Sequence, residues 1–138
     1  LPRLFIGDLQ VIASSKLKSV KMPEKIHGDL IVGQVNLNGG SLKMPEYVDG
    51  DYFVSKHEDA KLFMHPRHVT GSVEIEAKSV NGLKLPEKIG GNIVLLKVDS
   101  LEGLEIPSDF SGKIIVSKNL FNSKNGIPEA LKSQVVSN

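Results

Sequence analysis

Leu83-Lys84-Leu85-Pro86-Glu87-Lys88-Ile89-Gly90-Gly91-Asn92-Ile93-Val94-Leu95-Leu96 contains every feature that recurs along this chain. Its proline is one of seven, Pro2, Pro23, Pro45, Pro66, Pro86, Pro107 and Pro128, separated by 21, 22, 21, 20, 21 and 21 residues. A fixed period of this length is the signature of stacked structural units, and it takes precedence over any local reading. Three residues after each proline stands an apolar side chain: Phe5, Ile26, Val48, Val69, Ile89, Phe110 and Leu131. Five after it stands glycine, as Gly7, Gly28, Gly50, Gly71, Gly91 and Gly112, replaced only in the last copy by Ser133. Position seven then carries Leu9, Leu30, Tyr52, Val73, Ile93 and Ile114, and position nine Val11, Val32, Val54, Ile75, Leu95 and Val116.

Alternation of period two in residues rich in Val and Ile is a strand signal. It predicts strands near 8–12, 29–33, 51–55, 72–76, 92–96 and 113–117. The stretches between them, such as 34–41 and 97–103, are too short for independently stable helices, so turns, 3₁₀ pieces or short second strands are expected there. Proline biases its predecessor towards extended geometry, which places such a second extended piece just before each proline. One coil of this kind cannot bury its own apolar residues, whereas stacked coils share a core. The fold class is therefore mainly β: a solenoid of about six coils of 20–22 residues with parallel strands, forming a single domain over 1–138. The glycine column is expected to supply tight left-handed turns. Residues 127–134 replace glycine and strand with helix formers, and a short C-terminal helical cap led by Pro128 is expected. The chain begins at Leu1 in the middle of a repeat, without a methionine or a signal-like segment, so a piece of a longer protein is expected.

Coils of this length with a Leu-x-Leu/Met-Pro segment, as in Leu83-Lys84-Leu85-Pro86 and Leu42-Lys43-Met44-Pro45, resemble short leucine-rich repeats. The resemblance is closest to the leucine-proline type of secreted bacterial effector proteins and to related proline-glycine arrays of bacteria and phages. It implies a parallel sheet on a concave face, a protein partner, and a protein that is secreted or translocated into a host cell as a virulence factor. In some such proteins the array is the substrate-recognition domain of a ubiquitin ligase. Two features depart from the pattern. No asparagine column follows the strands, where Ser14, Val35, His57, Lys78, Val98 and Asn119 stand instead, and the glycine at position five is not typical of leucine-rich repeats. A β-solenoid with a more closed cross-section, carbohydrate-binding or carbohydrate-cleaving, is the further alternative.

Composition narrows the function. With 17 Lys+Arg against 16 Asp+Glu the net charge is +1, so no nucleic acid partner is expected. The longest aliphatic run, Ile93–Leu96, is far too short for a membrane span. The chain has no cysteine, and hence no disulfide, thiolate metal site or thiol nucleophile. Neither a nucleophile elbow nor a phosphate loop is present, so no enzyme activity and no cofactor are expected.

His57, His65 and His68 lie close together beside Glu58 and Asp59. His65, however, occupies a column otherwise filled by Met, Leu and Ile, and neighbouring columns point in different directions. No metal site is expected from them, and His27 reads as an isolated surface histidine. Glu74 and Glu76, with Asp29 and Asp51 near them in the ladder, read as a solvated acidic stripe rather than a glycosidase pair.

Position eight, on the outward side of the strands, is unusual. It reads Gln10, Ile31, Phe53, Glu74, Val94 and Ile115, with Leu96 adjacent. A solvated sheet face would be polar there, and contiguous exposed apolar groups mark interaction surfaces. Ile31, Phe53, Val94, Leu96 and Ile115 are therefore the candidate protein-binding residues, with Phe53 as the aromatic anchor. A partner protein, or a second copy of the chain pairing as a homodimer, is expected on this face; the competing reading is a covered core.

Overall fold

A computed structural model of the chain describes residues 3–12, 22–33, 42–57, 63–78, 83–123 and 126–137. The strands after the glycines form one parallel sheet of seven: β2 (Leu9–Ile12), β4 (Leu30–Gly33), β7 (Tyr52–His57), β10 (Val73–Ala77), β12 (Ile93–Leu96), β13 (Ile114–Val116) and β14 (Val135–Ser137). The first six each begin one residue after the predicted start, because the residue following the glycine is spent in the turn. Registers follow the repeat: Leu9 pairs with Leu30, Leu30 with Tyr52, Tyr52 with Val73, Val73 with Ile93, Ile93 with Ile114 and Ile114 with Val135. The chain is thus a parallel β-solenoid of stacked coils, with one rung per proline.

A second parallel sheet of five strands lies after the prolines: β1 (Leu4–Ile6), β3 (Lys25–His27), β6 (Tyr47–Asp49), β9 (His68–Val69) and β11 (Lys88–Ile89). These strands centre on the apolar position three, and sequence reading did not anticipate them. Two or three residues are too few for alternation to register. The extended pieces expected before the prolines are present as the pair β5 (Leu42–Lys43) and β8 (Phe63–Met64), and as a bridge between Lys84 and Glu105.

The core is a set of rows running along the axis. Leu30, Tyr52, Val73, Ile93 and Ile114 from position seven are completely buried, as are Val32 and Ile75 from position nine and Ile26, Val48 and Val69 from position three. Tyr52 carries the one hydroxyl among them. Its oxygen lies 2.6 Å from Nδ1 of His65, which explains a histidine in an apolar column. Burial pushes the Tyr52 phenol well above its ordinary value of 10.0. In the unfolded chain the phenol ionises freely, so stability should fall as pH rises through about 10 and on upwards. Tyr52→Phe should remove that slope while costing about 1–2 kcal/mol near neutrality through the lost hydrogen bond. Urea unfolding at pH 7 and at pH 11 for both proteins checks both effects.

The turn between the two sheets carries a side-chain ladder of its own. The residue after each glycine uses a side-chain oxygen to accept the backbone N–H of its equivalent one coil on. Asp8 Oδ1 accepts from Asp29, Asp29 Oδ1 from Asp51 and Asp51 Oδ1 from Ser72, each at 2.8 Å. Ser72 Oγ then accepts from Asn92 and Asn92 Oδ1 from Lys113, each at 3.0 Å. Lys113 has no acceptor to continue the ladder. At that end the Gln134 side chain instead donates to the carbonyls of Phe110 (3.2 Å) and Gly112 (3.5 Å). Because the Ser72 amide is part-buried, Asp51→Ala should cost about 1–3 kcal/mol. Asp51→Asn, which keeps the acceptor, should recover most of the loss in the same denaturation assay.

The glycines serve the same turn, but the expectation of one left-handed conformation throughout needs correction. Positive φ occurs at Gly7, Gly28 and Gly50 and does not occur at Gly71, Gly91 or Gly112. In the later coils the requirement is close approach. A Cβ on Gly71 would meet the Asp51 carboxylate and lie 2.7 Å from the Gly50 carbonyl oxygen. Among the charges, the position-one column proves to hold arginine as well as glutamate. Arg3 pairs with Glu24 at 3.3 Å and Arg67 with Glu87 at 3.5 Å, one coil to the next. These pairs are exposed and contribute little to stability.

Among the described residues helix is confined to the C-terminal end. α1 (Lys118–Phe121) is capped by Ser117, whose Oγ accepts from Leu120 N at 3.3 Å, and it buries Leu120. A 3₁₀ turn over Glu129–Leu131 follows Pro128. The expected helical turn is therefore present, but the chain then returns to the long sheet as β14, a rung that sequence reading did not foresee. Among the described residues no helix is long and apolar enough to cross a membrane.

Candidate interaction face

Because side chains alternate across a strand, sending positions seven and nine inward turns position eight out of the long sheet. The register aligns these residues in one row across the strands. Gln10 lies beside Ile31, Ile31 beside Phe53, Phe53 beside Glu74, Glu74 beside Val94, Val94 beside Ile115 and Ile115 beside Val136. Ile31, Phe53, Val94, Ile115 and Val136 are all half-buried, and Gln10 is exposed. Their inward neighbours Val32, Val54, Leu95 and Val116 are buried. Four of the five candidate residues thus share one row. Leu96, also half-buried, lies in the next row, opposite Glu76.

Val136 extends this row by one rung. Its signal was in the sequence, eight residues after Pro128, where Ile115 follows Pro107 and Val94 follows Pro86. It was obscured by the helix-forming residues before it.

Two carboxylates interrupt the apolar surface. Glu76 pairs with Lys97 Nζ at 2.9 Å, with its side chain 17% exposed. Glu74 is half-buried between Phe53 and Val94, and has no hydrogen bond or ion pair among the described residues. Asp29 and Asp51 do not join these two. They sit in the turn, where backbone amides occupy them, so the acidic stripe reduces to Glu74 and Glu76.

The histidines are dispersed. His65 faces Tyr52 in the interior, while His68 packs edge-on against Tyr47 with ring centroids 4.9 Å apart. His27 Nδ1 lies 3.1 Å from Asp49 Oδ2, and Thr70 donates to Asp49 Oδ1 at 2.9 Å. The hydrogen bond with His27, and then that from Thr70, hold the Asp49 carboxyl below its ordinary value. The His57 side chain, Glu58 and Asp59 lie outside the described residues. Among the described residues no group of three or more His, Cys, Asp or Glu side chains is arranged to hold a metal ion. Among the described residues, two clefts lie along the proline edges, one of about 450 Å³ lined in part by Leu85, Ile106 and Pro107 and one of about 390 Å³ lined in part by Met22, Met44 and two prolines, and a third of about 440 Å³ lies at the C-terminal end between Phe121, Ile127 and Val135.

Fold and surface together define a parallel β-solenoid repeat protein with a part-exposed apolar row on its longer sheet. Compared with protein-family models, curated proteins and solved structures, the chain matches none.

Proposed function

We propose that the chain is a non-enzymatic protein-recognition module that binds its partner through the position-eight row of the long sheet. The observation that carries this reading is the row itself: five apolar side chains on consecutive and near-consecutive rungs, each part-exposed, on a sheet whose opposite face already buries a full core. Surface of this kind is found where proteins associate, and a rigid sheet presents it without an ordering cost. Phe53 is the anchor, being the one aromatic in the row. Following the resemblance of its Leu-x-Met/Leu-Pro segments, we place the module in a secreted bacterial protein of effector type.

The test is a selection of phage-displayed random 18-residue peptides on the immobilised chain. Binding of the enriched peptides should drop at least tenfold on Phe53→Ser and be unchanged on His68→Ala, which alters the other sheet. Peptides that bind Phe53→Ser as well as wild type would overturn the reading. Light scattering after size exclusion of wild type and Phe53→Ser shows whether a second copy of the chain is among the partners, since a dimer on this face would dissociate in the variant.

A further inference from the structure

The proposed face has a charged centre. We infer that its partner is an amphipathic helix crossing the strands, with a lysine or arginine set between apolar residues, and that Glu74 receives that cation. The inference rests on the reading of this row as a recognition surface and specifies what the surface selects.

Glu74 interrupts an otherwise apolar sequence of rungs, with Ile31 and Phe53 on one side and Val94, Ile115 and Val136 on the other. Glu76, two residues along the same strand, has a lysine to neutralise it. Glu74 has no ion-pair partner among the described residues, although its side chain is half out of water between Phe53 and Val94. A wholly apolar partner closing over the row would bury that carboxylate unpaired, a desolvation penalty that disfavours such a partner. A cation placed opposite it converts the penalty into an attraction and fixes the register of the complex.

Spacing decides the form of the partner. Rungs repeat about every 4.8 Å, so the five intervals from β4 to β14 span about 24 Å. A helix presents one face every 5.4 Å and covers that span in about 16 residues, slipping by less than one rung. An extended strand repeats its face only about every 6.8 Å and falls out of step within three rungs. Side chains spaced three and four apart on a helix therefore meet successive rungs, with the basic residue near the middle.

The same peptide selection, run in parallel on wild type and Glu74→Lys, tests the proposal. Peptides enriched on wild type should carry Lys or Arg with apolar residues three or four positions to either side. They should lose at least tenfold in affinity on Glu74→Lys, less on Glu74→Gln, and regain affinity for Glu74→Lys when their own basic residue is changed to Glu. Circular dichroism of each variant confirms that the sheet is intact. If Phe53→Ser abolishes binding while both Glu74 variants bind as wild type, the cationic partner is wrong and the recognition face stands. If neither position matters, or nothing is enriched, both are wrong.

Discussion

Gly71→Val is expected to be among the most damaging single changes in this chain, lowering stability by more than about 4 kcal/mol or preventing folding at 37 °C. Gly71 does not occupy the left-handed region, so the cost does not come from its own backbone angles. It comes from the coil next to it. The new Cβ would meet the Asp51 carboxylate and press on the Gly50 carbonyl. Asp51 cannot move aside without releasing the Ser72 amide. The substitution therefore breaks a stacking contact and a ladder bond together, in the middle of a structure whose stability depends on neighbouring coils. Gly7→Val provides the contrast. Gly7 has a φ of 119°, but the nearest atom to its Cβ would be a Phe5 ring carbon at 3.8 Å. Backbone strain alone, about 1–3 kcal/mol, is expected there. Urea unfolding of the two variants separates the causes.

Val54→Glu should be as severe. Val54 is 1% exposed at position nine of the central part of the long sheet, flanked by Val32 and Ile75 on adjacent rungs. Both neighbours are completely buried and aliphatic, so neither offers a charge or a donor to a carboxylate. An unpaired charge there costs several kcal/mol, comparable with the whole stability of a domain this size. Loss of the cooperative unfolding transition and of the strand signal in circular dichroism is the expected result.

How legible these features are in the sequence depends on how many residues carry each one. The long sheet could be read because positions seven and nine after each proline are apolar in six successive copies, from Leu9 and Val11 to Ile114 and Val116. The short sheet could not. Lys25-Ile26-His27 and Tyr47-Val48-Asp49 each show one apolar residue between polar ones, which a turn would also show. The ladder in the turn was hidden by chemistry that tolerates substitution. Asp8, Asp29, Asp51, Ser72 and Asn92 do not form a column of one residue type, yet each offers an oxygen at the same place. In the last copy, Ser133 in place of glycine and the helix-forming run before it outweighed Val135 and Val136, although both stand at strand offsets from Pro128. The candidate face was legible for the same reason as the long sheet, since its members lie between two inward columns. That Glu74 has no partner among the described residues was not legible, because it takes the registered neighbours and the Glu76–Lys97 pair to tell the two carboxylates apart.

Whether Phe53 belongs to a face the protein presents or to its interior is read directly by equilibrium urea unfolding of Phe53→Glu beside wild type. Phe53 is adjacent to Val54 in sequence but on the opposite side of the sheet, half-buried in a row that already holds Glu74. A presented face requires a folded Phe53→Glu protein with an unchanged urea slope and a stability within about 1 kcal/mol of wild type, the range of a surface substitution beside another carboxylate. An unfolded Phe53→Glu chain, like the one expected for Val54→Glu, would mean that the row is core and that no recognition face lies there.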